Sequence, residues 1–144
     1  MAALATRLEG IDGTGTYNSD IGGRVYRGKI LFDDADTFPV LTMEDNGTTN
    51  DSAENHIYCR VKALKRVSIH GLVDVDDTDN PNDNAYLLIS DIKKSIFTGD
   101  ERLAGEAITI TYTGSSVSAR EDSATKVGCS VDITISYAEN LLDP

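Results

Sequence analysis

Arg60-Val61-Lys62-Ala63-Leu64-Lys65-Arg66-Val67-Ser68-Ile69-His70-Gly71-Leu72-Val73-Asp74-Val75 alternates along its length. The odd positions carry Val61, Ala63, Val67, Ile69, Gly71, Val73 and Val75 around a single Lys65, and the even ones carry Arg60, Lys62, Arg66, Ser68, His70 and Asp74. Successive side chains of a strand point to opposite faces, so this period of two predicts a half-buried strand. Residues 74–84 then hold five aspartates, three asparagines and Pro81. Short polar side chains that bond their own backbone, and a proline with no donor, predict a solvated turn. After it Ala85, Leu88, Ile89, Ile92 and Ile96 recur at helical spacing, with Asp83 or Asn84 placed to cap, Lys93 and Lys94 in the last turn and Gly99 as a left-handed stop. A strand, a turn and an amphipathic helix thus predict a helix lying on the apolar face of a sheet.

Upstream, residues 2–9 form a short helix with Leu4 and Leu8 one turn apart, which needs tertiary support at that length. Residues 10–23 are a connector with five glycines. Residues 24–32 read as a strand and 38–43 as a second, with Pro39 at its start or on an edge, the two joined through an acidic turn at 33–37 as a hairpin. Residues 44–55 have no hydrophobic period and read as a surface loop. Downstream, Ile108, Ile110 and Tyr112 alternate with threonines, residues 114–126 form a polar tip, and Val127, Cys129, Val131, Ile133, Ile135 and Tyr137 mark a last strand pairing antiparallel with the one before it. The tail from 138 onward is acidic and expected to fray. The whole chain, 1–144, therefore reads as a single α+β domain, a mixed and mainly antiparallel sheet with a long helix and a short N-terminal helix on one face.

A net charge of −11 and a pI near 4.4 argue against wrapping nucleic acid, since phosphate binding needs a basic face. Cys59 and Cys129 have no neighbour at metal or redox spacing and read as reduced thiols, with a disulfide as the second reading. No stretch reaches membrane-spanning length and the first twenty residues lack the apolar core of a signal peptide.

Chemistry finds little purchase. Aligned as a calcium loop from Asp74, the acidic turn puts Asp79 where glycine must turn the chain and Ala85 where the bidentate glutamate belongs. Gly10, Gly13 and Gly15 have no following Gly-Lys-Ser/Thr to make a phosphate cradle. The two histidines, His56 and His70, stand beside no recognisable nucleophile. The sequence therefore predicts neither enzyme, cofactor nor metal site.

Two segments carry a resemblance. Ser19-Asp20-Ile21-Gly22-Gly23-Arg24-Val25-Tyr26-Arg27-Gly28-Lys29-Ile30-Leu31-Phe32-Asp33, followed by Phe38-Pro39-Val40-Leu41-Thr42, resembles the front half of the tail terminator (tail completion) proteins of long-tailed bacteriophages. Asn84-Ala85-Tyr86-Leu87-Leu88-Ile89-Ser90-Asp91-Ile92-Lys93-Lys94-Ser95-Ile96-Phe97 resembles the long helix of the same family. With the closing strand pair the likeness spans nearly the whole chain, and it departs from the family in leaving little more than two helical turns before Gly10. The resemblance implies a structural protein of the virion tail, made in the bacterial cytoplasm. Six copies would form a ring on the head-proximal end of the tail tube, stop its polymerisation, and join it to the neck or head-tail connector. DNA would pass through this ring without specific binding. The implied partners are other copies, the major tail tube protein and the neck protein. Other readings are another neck protein of the same fold, or an acidic calcium-binding module. A head-to-tail ring needs two unlike faces per subunit, and the candidate interface residues divide that way: Arg24, Arg27, Arg60, Lys62 and Arg66 against Asp74, Asp76, Asp77 and Asp79.

Overall fold

The computed structural model describes residues 1–28, 37–51, 60–76, 79–100, 102–119 and 124–141. In chain order these form α1 (Ala2–Glu9), β1 (Val25–Arg27), β2 (Val40–Asn50), β3 (Arg60–Asp74), α2 (Asp83–Phe97), β4 (Thr109–Val117) and β5 (Lys126–Asn140), with one 3-10 turn at Leu103–Gly105. The strands make one sheet in the order β1-β2-β3-β5-β4. All neighbours are antiparallel except β1 and β2. The expected α+β architecture is present, and α2 lies across β3 and β5 with α1 against it.

The odd positions of β3 and β5 face the helices. Gly71 shows why that face needs a gap: a Cβ there would come within 2.7 Å of Leu88 Cδ2, 3.0 Å of Cys129 Sγ and 3.2 Å of Leu41 Cδ2. A side chain at 71 would push α2 off the sheet, so the glycine sets the helix-to-sheet distance. Around it Leu41, Met43, Val67, Ile69, Leu88, Ile92, Val131 and Ile133 are buried in one contiguous core. Each large apolar side chain buried on α2 contributes at most about 1.5–3 kcal/mol, so packing, more than capping, places this helix.

Capping is in fact absent. Asn82, not Asp83 or Asn84, is the N-cap residue, and no side chain bonds the free amides. Asn84 instead donates to the Asp74 carbonyl (3.0 Å) and to Asp76 Oδ2 (2.9 Å), tying the helix start to the end of β3. Gly99, at φ 95°, has the expected left-handed conformation just past the helix end.

Three other expectations are corrected. β1 and β2 are parallel rather than a hairpin: the Leu41 amide donates to Arg24 O (2.9 Å), the Gly28 amide to Met43 O (2.8 Å), and Val25 registers with Leu41. Twelve residues separate the two strands, the length that a parallel crossover requires. The rest of the strand expected over 24–32, and the acidic turn after it, fall largely outside the described residues. Second, 44–50 is not a loop but the outer half of β2, paired with β3 through a register shift between Asp45 and Thr48. Third, β4 continues to Val117 into the expected polar tip, and β5 runs to Asn140 through the expected frayed tail, because β3 offers a partner as far as Arg60.

Candidate interaction surfaces

The five predicted basic residues do not form one patch. Arg24 is a strut: its Nε donates to Pro39 O (2.9 Å) and its Nη2 to Asp20 O (2.7 Å), fixing the entry to β1 against the entry to β2. Two of its donors thus already hold backbone. Arg27 is exposed at the end of β1. Arg60, Lys62 and Arg66 share the even face of β3, the face without helices. Lys62 Nζ lies 3.3 Å from Asp51 Oδ2, while no described ion pair engages Arg60 or Arg66, both exposed.

The acidic set sits at the other end of the same strand. Asp74 Oδ1 is 2.5 Å from Lys126 Nζ, whose ammonium also lies 3.7 Å from the centre of the Phe38 ring. Asp76 accepts from Asn84, and Asp79 is exposed. Asp77 lies outside the described residues, as do His56, Cys59 and the 33–36 acids. Among the described residues no group of three or more His, Cys, Asp or Glu is placed to hold a metal ion. The fifteen residues of β3 set its basic and acidic ends about 45 Å apart at roughly 3.3 Å per residue.

Between those ends the helix-free face is a polar lattice. Asn46 Nδ2 donates to Ser68 Oγ (2.7 Å), Ser68 Oγ donates to Asp132, and the Ser116 and Ser130 hydroxyls meet at 2.9 Å. His70 Nε2 lies 3.2 Å from Glu44 Oε2. Cross-strand polar pairs of this kind knit the sheet together on its polar face.

Two features escaped the sequence. Asp91 is fully buried in α2 and accepts from the Asn18 amide (2.9 Å), the Ser19 amide (2.8 Å) and Asn18 Nδ2 (3.1 Å). Lys94 stands 3.7 Å from it and donates to Thr16 O (2.8 Å). The glycine-rich connector is therefore fastened to the helix, with Ile11 and Ile21 buried on either side. Its signal was a carboxylate one turn after Leu88, on the face that also carries Ser95. The second feature is a groove of about 390 Å³ between α2 and β4, lined by Tyr86, Ile89, Lys93, Ser115 and Val117. Beside it Lys93 Nζ lies 4.6 Å from the centre of the Tyr112 ring. The hydrogen bond with Ser115, and then Lys93, hold the Tyr112 hydroxyl below its ordinary pKa.

Cys129 is free and buried, and burial pushes its thiol up to about 12. That leaves it protonated and unreactive near neutral pH. No helix among the described residues is long and apolar enough to cross a membrane. Neither a scan against protein-family models nor a comparison with curated proteins finds a match.

Proposed function

We propose that this chain is a structural protein of a phage virion: a ring-forming tail terminator that caps the head-proximal end of the tail tube, stops its polymerisation and joins it to the neck. The resemblance of residues 19–33, 38–42 and 84–97 motivates the reading, and one observation carries it further. Strand β3 holds exposed arginines at one end and leads into an aspartate-rich turn at the other. A subunit with unlike ends suits a ring that must meet the tube on one side and the neck on the other. The proposed partners are other copies of the chain, the tail tube protein and the neck protein. Passing DNA meets a chain of net charge −11, which repels phosphate.

Electron microscopy of particles assembled in a lysate lacking only this protein tests the reading. Overlong tubes beside tailless heads are the expected result. Tails of normal length left unjoined to heads would move the chain to another neck protein of the same fold, and normal tails joined to heads would remove it from the tail altogether. On the charged ends, reversing Arg60 and Arg66 together to glutamate should abolish tube capping while leaving the thermal midpoint unchanged, because neither side chain holds the fold together.

A further inference from the structure

We propose that the outer edge of β4 and the α2–β4 groove together take a short extended segment of a partner protein, one that alternates apolar side chains and carries a carboxylate. The segment adds a strand to the sheet beside Ser115 and Val117 and sets its carboxylate against Lys93. This goes beyond ring formation and holds whether or not the chain forms rings.

The edge is open. Ser118 donates its amide to Gly128 O (2.9 Å), and Gly114 and Ser116 register with Asp132 and Ser130. In an antiparallel ladder this alternation turns the amides and carbonyls of Ser115 and Val117 away from β5, and no described residue bonds the two amides. The nine residues of β4 include no charge and no proline, the usual devices that keep an edge from pairing. Chain outside the described residues does not reach Ser115. Residues 120–123 join 119 to 124 over at most about 19 Å of contour, whereas running back to Ser115 and returning needs about 26 Å. Residues 29–36 follow β1 on the opposite edge of the sheet. Residues 52–59 and 142–144 adjoin its Arg60–Asn140 end, about 30 Å along β3 from Ile69, the rung on which Ser115 stands. Residues 77–78 and 101 are too few to form a strand.

Shape and charge select the occupant. The register shift between Tyr112 and Gly114 bends the strand, so the straight part of the edge is residues 114–118, about 15 Å long. That suits a short segment; a second copy offering its own β4 meets the same bend. Alternate side chains of an added strand fall on the helix side of the sheet, so the segment gains pockets as well as backbone bonds. The pocket is the groove of about 390 Å³ walled by Tyr86, which is 59% exposed, and by Ile89 and Val117. Lys93 carries the one charge among the described residues that line it. Its ammonium lies 4.6 Å from the centre of the Tyr112 ring and has no carboxylate partner among the described residues. In a chain of net charge −11, an uncharged edge with a lysine beside it is where an acidic segment meets attraction rather than repulsion.

Selection of binders to the immobilised full chain from a library of random decapeptides tests this, followed by titration of the selected peptides by fluorescence anisotropy. The expected peptides alternate apolar residues and carry Asp or Glu. Val117→Pro removes one outward amide and no bond within the sheet, and should weaken their binding about tenfold or more. Lys93→Glu should weaken it by a similar factor, and Lys93→Arg should not. Failure to enrich any sequence, or peptides bound equally by wild type, Val117→Pro and Lys93→Glu, would overturn the site. Peptides that lack a carboxylate and ignore Lys93→Glu would overturn the acidic occupant. Hydrogen exchange needs no variant: a saturating selected peptide should slow the Ser115 and Val117 amides about tenfold or more, and unchanged rates would exclude this edge. Native mass spectrometry of the chain alone separates the remaining occupant, since a dimer that Val117→Pro abolishes gives the edge to a second copy and overturns the proposal.

Discussion

β3 is one strand with two different neighbourhoods. From Val67 to Val73 its odd side chains lie beneath α2 in the contiguous core, and Gly71 is there to let the helix approach. From Arg60 to Arg66 the strand has left the helix layer; Val61 and Ala63 are buried but outside that core, and Lys62 and Lys65 reach across to Asp51 and Asp45. The sequence period is the same in both halves. What differs is the partner: a helix fixes the first half, and ion pairs to β2 trim the second. A repeating pattern announces a strand, and only distant residues decide whether that strand belongs to the core or to a surface arm.

The sharpest way to break the covered half is at Asp91. Asp91→Ala removes the acceptor of two backbone amides and one side-chain amide, and leaves them partly buried without partners. The expected loss is about 3 kcal/mol in urea unfolding. Asp91→Asn should cost less, since its amide oxygen still accepts. A loss under about 1 kcal/mol for the alanine would mean that the connector at 14–21 is held by Ile11 and Ile21 alone.

Gly71→Ala is the next step down. The added methyl meets Leu88 at 2.7 Å and Cys129 at 3.0 Å, and relief requires a side-chain shift or a small rise of α2. Overpacking of this kind costs roughly 1–3 kcal/mol. Pairing Gly71→Ala with Leu88→Ala sharpens the point: the double variant should be more stable than the sum of the two single losses predicts. Strict additivity would show that contact with α2 is not what forbids a side chain at 71.

These two sites also mark what was legible. The helix over 83–97, the strand over 60–74 and the core set on each follow from spacing, because both elements bury one face and show it as a period. The outer half of β2 has no such signature: Glu44, Asp45, Asn46 and Gly47 leave the helix layer and bury neither face, so their sequence reads as loop although Glu44 and Asp45 pair with β3 and the ladder resumes at Thr48 past the irregularity at Asn46 and Gly47. The parallel pairing of β1 was hidden for another reason. Direction is set by the crossover and by Arg24 gripping Pro39 and Asp20, and no local pattern encodes that grip. Of the candidate interface, the charge division between the two ends of β3 was visible in sequence. The β4 groove was not, because Tyr86, Lys93 and Val117 meet only once α2 lies on the sheet.

The smallest effect belongs to the uncovered half, at Asp45 and Lys65, 2.9 Å apart. The hydrogen bond from Lys65, then that from the Gly47 amide, hold the Asp45 carboxyl below its ordinary 3.8, and the bond to Asp45 raises Lys65 above 10.5. Asp45 is depressed, so its contribution is present above pH 3.8 and is lost as pH falls through the folded-state value. Lys65 is raised, so its contribution is complete below pH 10.5 and is lost as pH rises through its own folded value. The Asp45 side chain is 45% exposed, and a pair so open to water contributes only about 0.2–1 kcal/mol. Asp45→Asn should therefore cost less than Gly71→Ala at neutral pH, and the cost should shrink in high salt and vanish in acid. A loss as large at low pH as at neutral pH would locate the effect in the β2 bulge rather than in the charge, and the arm would then be held by its backbone, as the covered half is held by its core.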